Sequence, residues 1–354
     1  MIYIFILLFG SYYLYILDRS KIVYNILSLL PLFLIYFLTS AIQDGVGTDY
    51  HTYINIYNHS FLNDRYLDSY EFIFYYAVRF FNFLNLPSQS LFFFFSFIQA
   101  LPLFIYFSIL RNKFNFKVYI IFFLFMSVTG IYINQLNGIR QYAALLLFPL
   151  ISYLCFNKQN FKSVFLLIIS ISLHQSAFIF LIIYPLTYIY RKLNIPLFFI
   201  FLITIPIYIF GSKIAFYIVQ LLDLKYSIYF ESKHAEPQDI LNILTRLYYL
   251  PLIIYFFYIY RKNKTKDYFD FTIFLFSVFY FSFIMGYDFG LLSRIASYFW
   301  FFIIFPIYFI INKSMVKGNY NNFMLSIIYV LIPFILKTTL FARAEYSYQS
   351  ILFN

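Results

Sequence analysis

The sequence reads as an all-helical protein threaded repeatedly through a membrane, on three grounds. Of 354 residues, 63% are hydrophobic and only 11% charged, with a mean hydropathy of +0.79. A soluble domain carries about 25% charged residues. Apolar runs near the ~20 residues needed to cross a bilayer recur along the whole chain. The charges between the runs sort by sign. Composition thus excludes a soluble enzyme and a disordered chain, and the single cysteine, Cys155, excludes a disulfide-stapled secreted module. Cys155 lies in an apolar run and reads as a buried thiol.

The first run, 2–17, has neither the basic leader nor the small-residue cleavage site of a signal peptide and reads as a retained span. Spans follow near 22–42, 89–110, 118–133, 139–156, 195–210, 247–260, 268–286, 295–311 and 323–340. The stretch 163–190 is too long for one comfortable span and is interrupted by His174, Gln175 and Ser176. Basic residues flank it on both sides, Lys158 and Lys162 before, Arg191 and Lys192 after. Both ends therefore belong on the cytoplasmic face, and two short helices meeting at His174 are expected. The count becomes about 12 membrane helices in one polytopic domain, 1–354.

With that parity, 15 of the 25 Lys and Arg fall in cytoplasmic loops, where the only acidic residues are Asp18, Asp267 and Asp270. Both chain ends come out extracytoplasmic. The net charge of +11 is then a matter of membrane orientation, and no basic patch for nucleic acid is present. Two extended outer loops, 43–87 and 211–245, are too long for turns, and loops of such length carry function. Within the first, 69–86 is apolar but contains Glu71 and Arg79, and is expected to be an interfacial helix.

Candidate functional residues cluster on the outer side. Asp49, in GVGTDYHTYINIY, is a carboxylate suited to general-base work on a sugar hydroxyl or to capping a helix, with Tyr50, Tyr53 and Tyr57 at helical spacing after it. Asn137, Arg140 and Gln141 stand at i, i+3 and i+4 and are expected to share a helix face. Arg140 would lie in the first turn of an inward-running helix, where it opposes the macrodipole and calls for a negative partner. Arg246 and Arg294 open two further inward helices. Helix starts and guanidinium forks both suit phosphate oxygens, so converging ends would make a diphosphate site. His174, an ionisable group at membrane depth, is either a functional residue or an interhelical hydrogen bonder. In the second loop, Glu231, His234, Glu236 and Asp239 could line an acceptor groove or be solvated. The histidines lack metal-ligand spacing, and no P-loop, GxSxG or GxGxxG occurs.

VGTDYHTYINIY from Val46, YEF from Tyr70, NGIRQYAALLL from Asn137, LHQSAFIFLIIYPL from Leu173 and Arg294 near a span start, in this order, resemble the EpsG family of bacterial exopolysaccharide proteins. These are relatives of Wzy-type polymerases of O-antigen and capsule repeat units. Glu71 departs from the family pattern, being followed by Phe72 and Ile73 in place of proline and glycine. The resemblance implies a glycosyltransferase that joins polyprenyl-diphosphate-linked oligosaccharide repeat units at the outer face of the cytoplasmic membrane. Its catalytic residues would be Arg140 and Arg294 on the diphosphate and Asp49 or His174 as base. Tyr50, Tyr53, Glu71, Asn137, Gln141 and Arg246 would bind substrate. The donor carries its own activation, so no cofactor or metal is expected. Membrane lipid and other polysaccharide assembly proteins are the implied partners. A lipid-linked oligosaccharide flippase or a non-catalytic scaffold are the competing readings; a flippase needs charge along a path through the bilayer, whereas these groups gather at one face.

Overall fold

A computed structural model describes residues 1–192, 195–221, 240–260, 267–287 and 293–352. The described residues form helices with no strand, apart from one isolated β-bridge. Six helices among them are long and apolar enough to cross a membrane, seven if a bent pair counts as one span, which fits a polytopic membrane protein. The apolar helices 26–41 and 160–173 and the apolar helical stretches 197–211 and 243–259 are shorter. The chain divides into two compact units, 1–184 with 331–354, and 185–330.

In the first unit, α1 (Ile2–Arg19) leads to α2 (Ile26–Ala41). Asn25 and Ser28 close a capping box on α2, the Asn25 side chain accepting from the Ser28 N–H at 2.8 Å. The loop beyond α2 holds the short helices α3 (Tyr50–Asn58) and α4 (Asp64–Asp68), then α5 (Phe72–Phe83). At 12 residues α5 is too short to span. It buries Phe74, Tyr75, Ala77 and Val78 and leaves Tyr76, Phe80 and Phe83 exposed, as an amphipathic helix lying on a surface would.

Helix α6 (Gln89–Phe114) is followed by α7 (Val118–Leu124), which ends in a π turn, Phe125–Thr129. The span expected at 118–133 is broken by Gly130, which takes φ +64, and the chain bends by 55° into α8 (Ile131–Asn137). Helix α9 (Ile139–Phe156) starts after a second break at Gly138.

The 163–190 stretch doubles back. Helix α10 (Asn160–Leu173) stops at His174, whose extended backbone (φ −156, ψ 123) cannot continue a helix. A 3-10 segment, Gln175–Ile182, then leads into α11 (Ile183–Lys192). The Ser163 and Tyr184 hydroxyls meet at 3.1 Å, whereas a continuous helix would hold those residues about 30 Å apart. Against α9, Ser163 reaches the Ile151 carbonyl at 3.3 Å and Ser170 that of Ala144 at 3.1 Å, so α10 runs antiparallel and delivers His174 to the end where α9 begins.

The basic loops gather at the opposite end of this unit. Arg111 of α6 pairs with Asp18 of α1 at 3.0 Å, Tyr24 donates to the same carboxylate at 2.8 Å, and Lys113 reaches the Tyr153 hydroxyl of α9 at 2.7 Å.

The second unit contains α12 (Leu197–Leu221), α13 (Ile240–Leu247), α14 (Leu250–Ile259) and α15 (Tyr268–Phe279), the last continued by a 3-10 segment to Tyr287. Next come α16 (Ser293–Phe299), a 3-10 turn, Trp300–Ile303, and α17 (Ile304–Val316). Helix α18 (Tyr320–Ile335) returns the chain to the first unit. Aromatic stacking fills the core of the second unit: Phe279 and Phe299 stack at 3.5 Å, and Tyr248 and Tyr329 at 4.3 Å.

Candidate active site

The site is built where α9 starts. Helix α4 ends with Tyr70 in the left-handed region (φ 63), and the Glu71 N–H donates to the Tyr66 carbonyl at 2.9 Å. This sharp stop places Glu71 at the cap of α5 with its side chain directed inward, 7% exposed. There it forms an ion pair with Arg140 in the first turn of α9. Glu71 is therefore the negative partner that an arginine at a helix start requires.

The Arg140 guanidinium, in a side chain 14% exposed, is enclosed by rings: Tyr66 at 4.4 Å, Phe74 at 4.7 Å and Tyr53 at 5.6 Å from its central carbon. Its Nε has no hydrogen-bond partner among the described residues. The other Glu71 oxygen accepts the Gln175 N–H at 3.2 Å and lies 4.0 Å from His174 Nε2. His174 Nδ1 accepts the Ser176 N–H at 3.3 Å and is also bonded to the Ser176 hydroxyl, so its proton-bearing nitrogen is Nε2, facing Glu71. Burial pushes the Glu71 carboxyl above the ordinary carboxylate range, opposed by Arg140 and the Gln175 N–H. Burial also raises the Tyr53 hydroxyl, and Arg140 opposes it.

Asp49 stands one turn before Tyr53 at the exposed start of α3. Its carboxylate makes no capping bond, so it is not held in the structural role that competes with a base. The Asp49 N–H is fixed by Asn137 Oδ1 at 2.8 Å, and the loop approaches Asn137 so closely at Gly47 (φ +80) that a Cβ there would lie 2.5 Å from the same oxygen.

Asn137 ends α8, and the break at Gly138 (φ −94, ψ 61) separates it from Arg140 and Gln141. The expected common face of Asn137, Arg140 and Gln141 is thus corrected: only Arg140 and Gln141 share a helix, while Asn137 supports the Asp49 loop. Tyr50 stacks on Phe92 at 4.7 Å, and the Tyr57 hydroxyl donates to the Leu86 carbonyl at 2.5 Å. Tyr53 alone of the three faces Arg140.

Arg246 belongs to the second unit. It lies in the last turn of α13 rather than opening a helix as expected, because Tyr248 and Tyr249 break the chain before α14. Its guanidinium stands 4.8 Å from the Trp300 ring. Arg294 is in the first turn of α16, and its side chain, like Glu231, His234, Glu236 and Asp239, lies outside the described residues. Tyr66 and Phe74, and Ser176 as the partner of His174, carry no functional signal of their own in the sequence; YEF and HQSA are the local patterns that point to their neighbourhoods.

An all-helical polytopic protein with a buried Glu–Arg pair beside a histidine at one end of a helical unit is a membrane protein with an ionisable site. The chain matches the EpsG family over residues 27–350, nearly its whole length, and belongs to that family, which is associated with exopolysaccharide. No curated protein and no solved structure matches it.

Proposed function

We propose that the chain is a polysaccharide polymerase, a glycosyltransferase that joins polyprenyl-diphosphate-linked oligosaccharide repeat units at the outer face of the cytoplasmic membrane. The observation that carries this reading is the Glu71–Arg140 pair, buried beside His174 at the start of α9 in a member of an exopolysaccharide family. Buried charge of this kind is costly to maintain and marks function by default. In this reading the shorter apolar helices complete about 12 membrane helices, the site end faces outward, and other polysaccharide assembly proteins share the membrane with it.

The acceptor hydroxyl attacks the anomeric carbon of the lipid-linked chain, the bond to the diphosphate breaks, and the diphosphate leaves with the bonding electrons. Arg140, aimed by Glu71, offers Nε and the helix start to that developing charge. The hydroxyl proton passes to a base. Because both His174 nitrogens are directed at protein groups, the reading assigns the base to Asp49 and gives His174 the task of orienting Glu71. The donor is already activated, so positioning and charge account for the catalysis and no nucleotide is consumed.

Purified protein given a lipid-linked repeat unit without nucleotide should produce a ladder of longer products. Asp49→Asn should abolish the ladder, and His174→Gln should slow it. A folded preparation that leaves the substrate unchanged would overturn the polymerase and leave a flippase or scaffold. A ladder retained by Asp49→Asn and lost by His174→Gln would reverse the choice of base.

A further inference from the structure

The segment that follows α18 runs back across the first unit and pairs with the start of the loop that carries Asp49. Gln43 and Ser350 form an antiparallel bridge, the Asp44 N–H donates to the Gln349 carbonyl at 3.1 Å, and the Ile351 N–H donates to the Ile42 carbonyl at 3.0 Å. Three further bonds anchor this region. The Tyr348 hydroxyl donates to the Thr39 carbonyl at 2.8 Å, the Tyr3 hydroxyl to the Glu345 carbonyl at 2.5 Å, and the Gln89 amide to the Gln43 carbonyl at 3.0 Å. Upstream, the 3-10 turn Ala344–Tyr346 packs on α8, the helix whose Asn137 holds the Asp49 N–H.

From these contacts we propose that residues 343–352 are a positioning strap of the candidate site, holding loop 42–49 so that Asp49 stands at the start of α9. The positioning role rests on the polymerase reading. The physical need is clear from the loop itself. Gly45 and Gly47 both take positive φ (+60 and +80), so residues 44–48 have no helix or sheet of their own to fix them. Asn137 fixes the far end of this loop, and the strap fixes the near end, supplying the backbone partners that loop residues otherwise lose to water. The pairing is kept at a cost, because the buried side chains of Gln43 and Ser350 have no hydrogen-bond partner among the described residues. A catalytic carboxylate displaced by ~1 Å loses about 100-fold in rate, which is what a strap of this kind prevents.

The test uses the full chain with Cys155→Ala, together with Gln43→Cys and Ser350→Cys. Bridge partners stand at a separation that a disulfide can close, and neither replaced side chain contributes a hydrogen bond among the described residues. The disulfide should form under mild oxidant, and the oxidised protein should polymerise at the reduced protein's rate. Tyr348→Phe, which loosens the strap, should lower kcat about tenfold while leaving KM for the lipid-linked repeat unit within about twofold. Oxidation of the cysteine pair in that background should restore kcat, a rescue that a general loss of folding would not show. A disulfide that does not form, one that abolishes polymer, or a Tyr348→Phe variant with normal kcat overturns the proposal while wild type still polymerises. A wild type that makes no polymer overturns the polymerase reading, and the positioning role with it, whatever the disulfide yield.

Discussion

Removing the charge of Glu71 leaves Arg140 buried among Tyr53, Tyr66 and Phe74 with no counter-charge. Breaking one half of a buried pair costs about 3–5 kcal/mol, whereas replacing both halves by neutral groups of similar size is close to neutral. Glu71→Gln should therefore lower the thermal midpoint in detergent, and Glu71→Gln with Arg140→Met should recover most of it without recovering polymer. Equal midpoints for the single and double variants would remove the pair from the account. Part of this residue-scale picture was legible in sequence. A first-turn arginine demanded a negative partner, but 69 residues separate it from the carboxylate that answers, and the approach depends on a left-handed turn at Tyr70. A tyrosine gives no sign of that conformation. The cage of Tyr66 and Phe74 was hidden because 26% of the chain is aromatic and no single ring stands out.

Helix breaks decide what the elements present. The i, i+3, i+4 spacing from Asn137 to Gln141 suggested one face, yet Gly138 ends α8, and Asn137 is given over to the Asp49 loop. Hydrophobic periodicity runs through such a break unmarked, since both sides remain apolar. His174 was legible as a hairpin tip for a different reason: basic residues on both flanks fix parity whatever the backbone does. The close approach at Gly47 gives an element-scale prediction. Gly47→Ala forces a side chain into the left-handed region and against Asn137, so the Asp49 N–H contact must break. The variant should accumulate normally and elongate about 10- to 100-fold more slowly, as read from initial rates of ladder formation. A normal rate would show that the loop's grip on Asn137 is irrelevant to the reaction.

At the scale of the whole molecule, the ion pairs of the first unit divide between its two ends. Asp18, Arg111 and Lys113 meet at one end, and Glu71, Arg140 and His174 at the other. Orientation predicts that, with Cys155 removed, cysteine at exposed Lys317 is protected from an impermeant thiol reagent in intact cells and cysteine at exposed Asp68 is labelled. Labelling of both would overturn the assignment of faces. The strap and its β-bridge to Gln43 were not legible, because two isolated backbone bonds leave no periodic trace and the partners stand 307 positions apart. If a guanidinium held by Glu71 serves a departing diphosphate, product length with Arg140→Lys at equal amounts of folded protein will report it. Lysine keeps the charge but not the planar fork with its Nε donor, so the account predicts unextended lipid-linked repeat unit where wild type gives a ladder. A wild-type ladder from Arg140→Lys would contradict it.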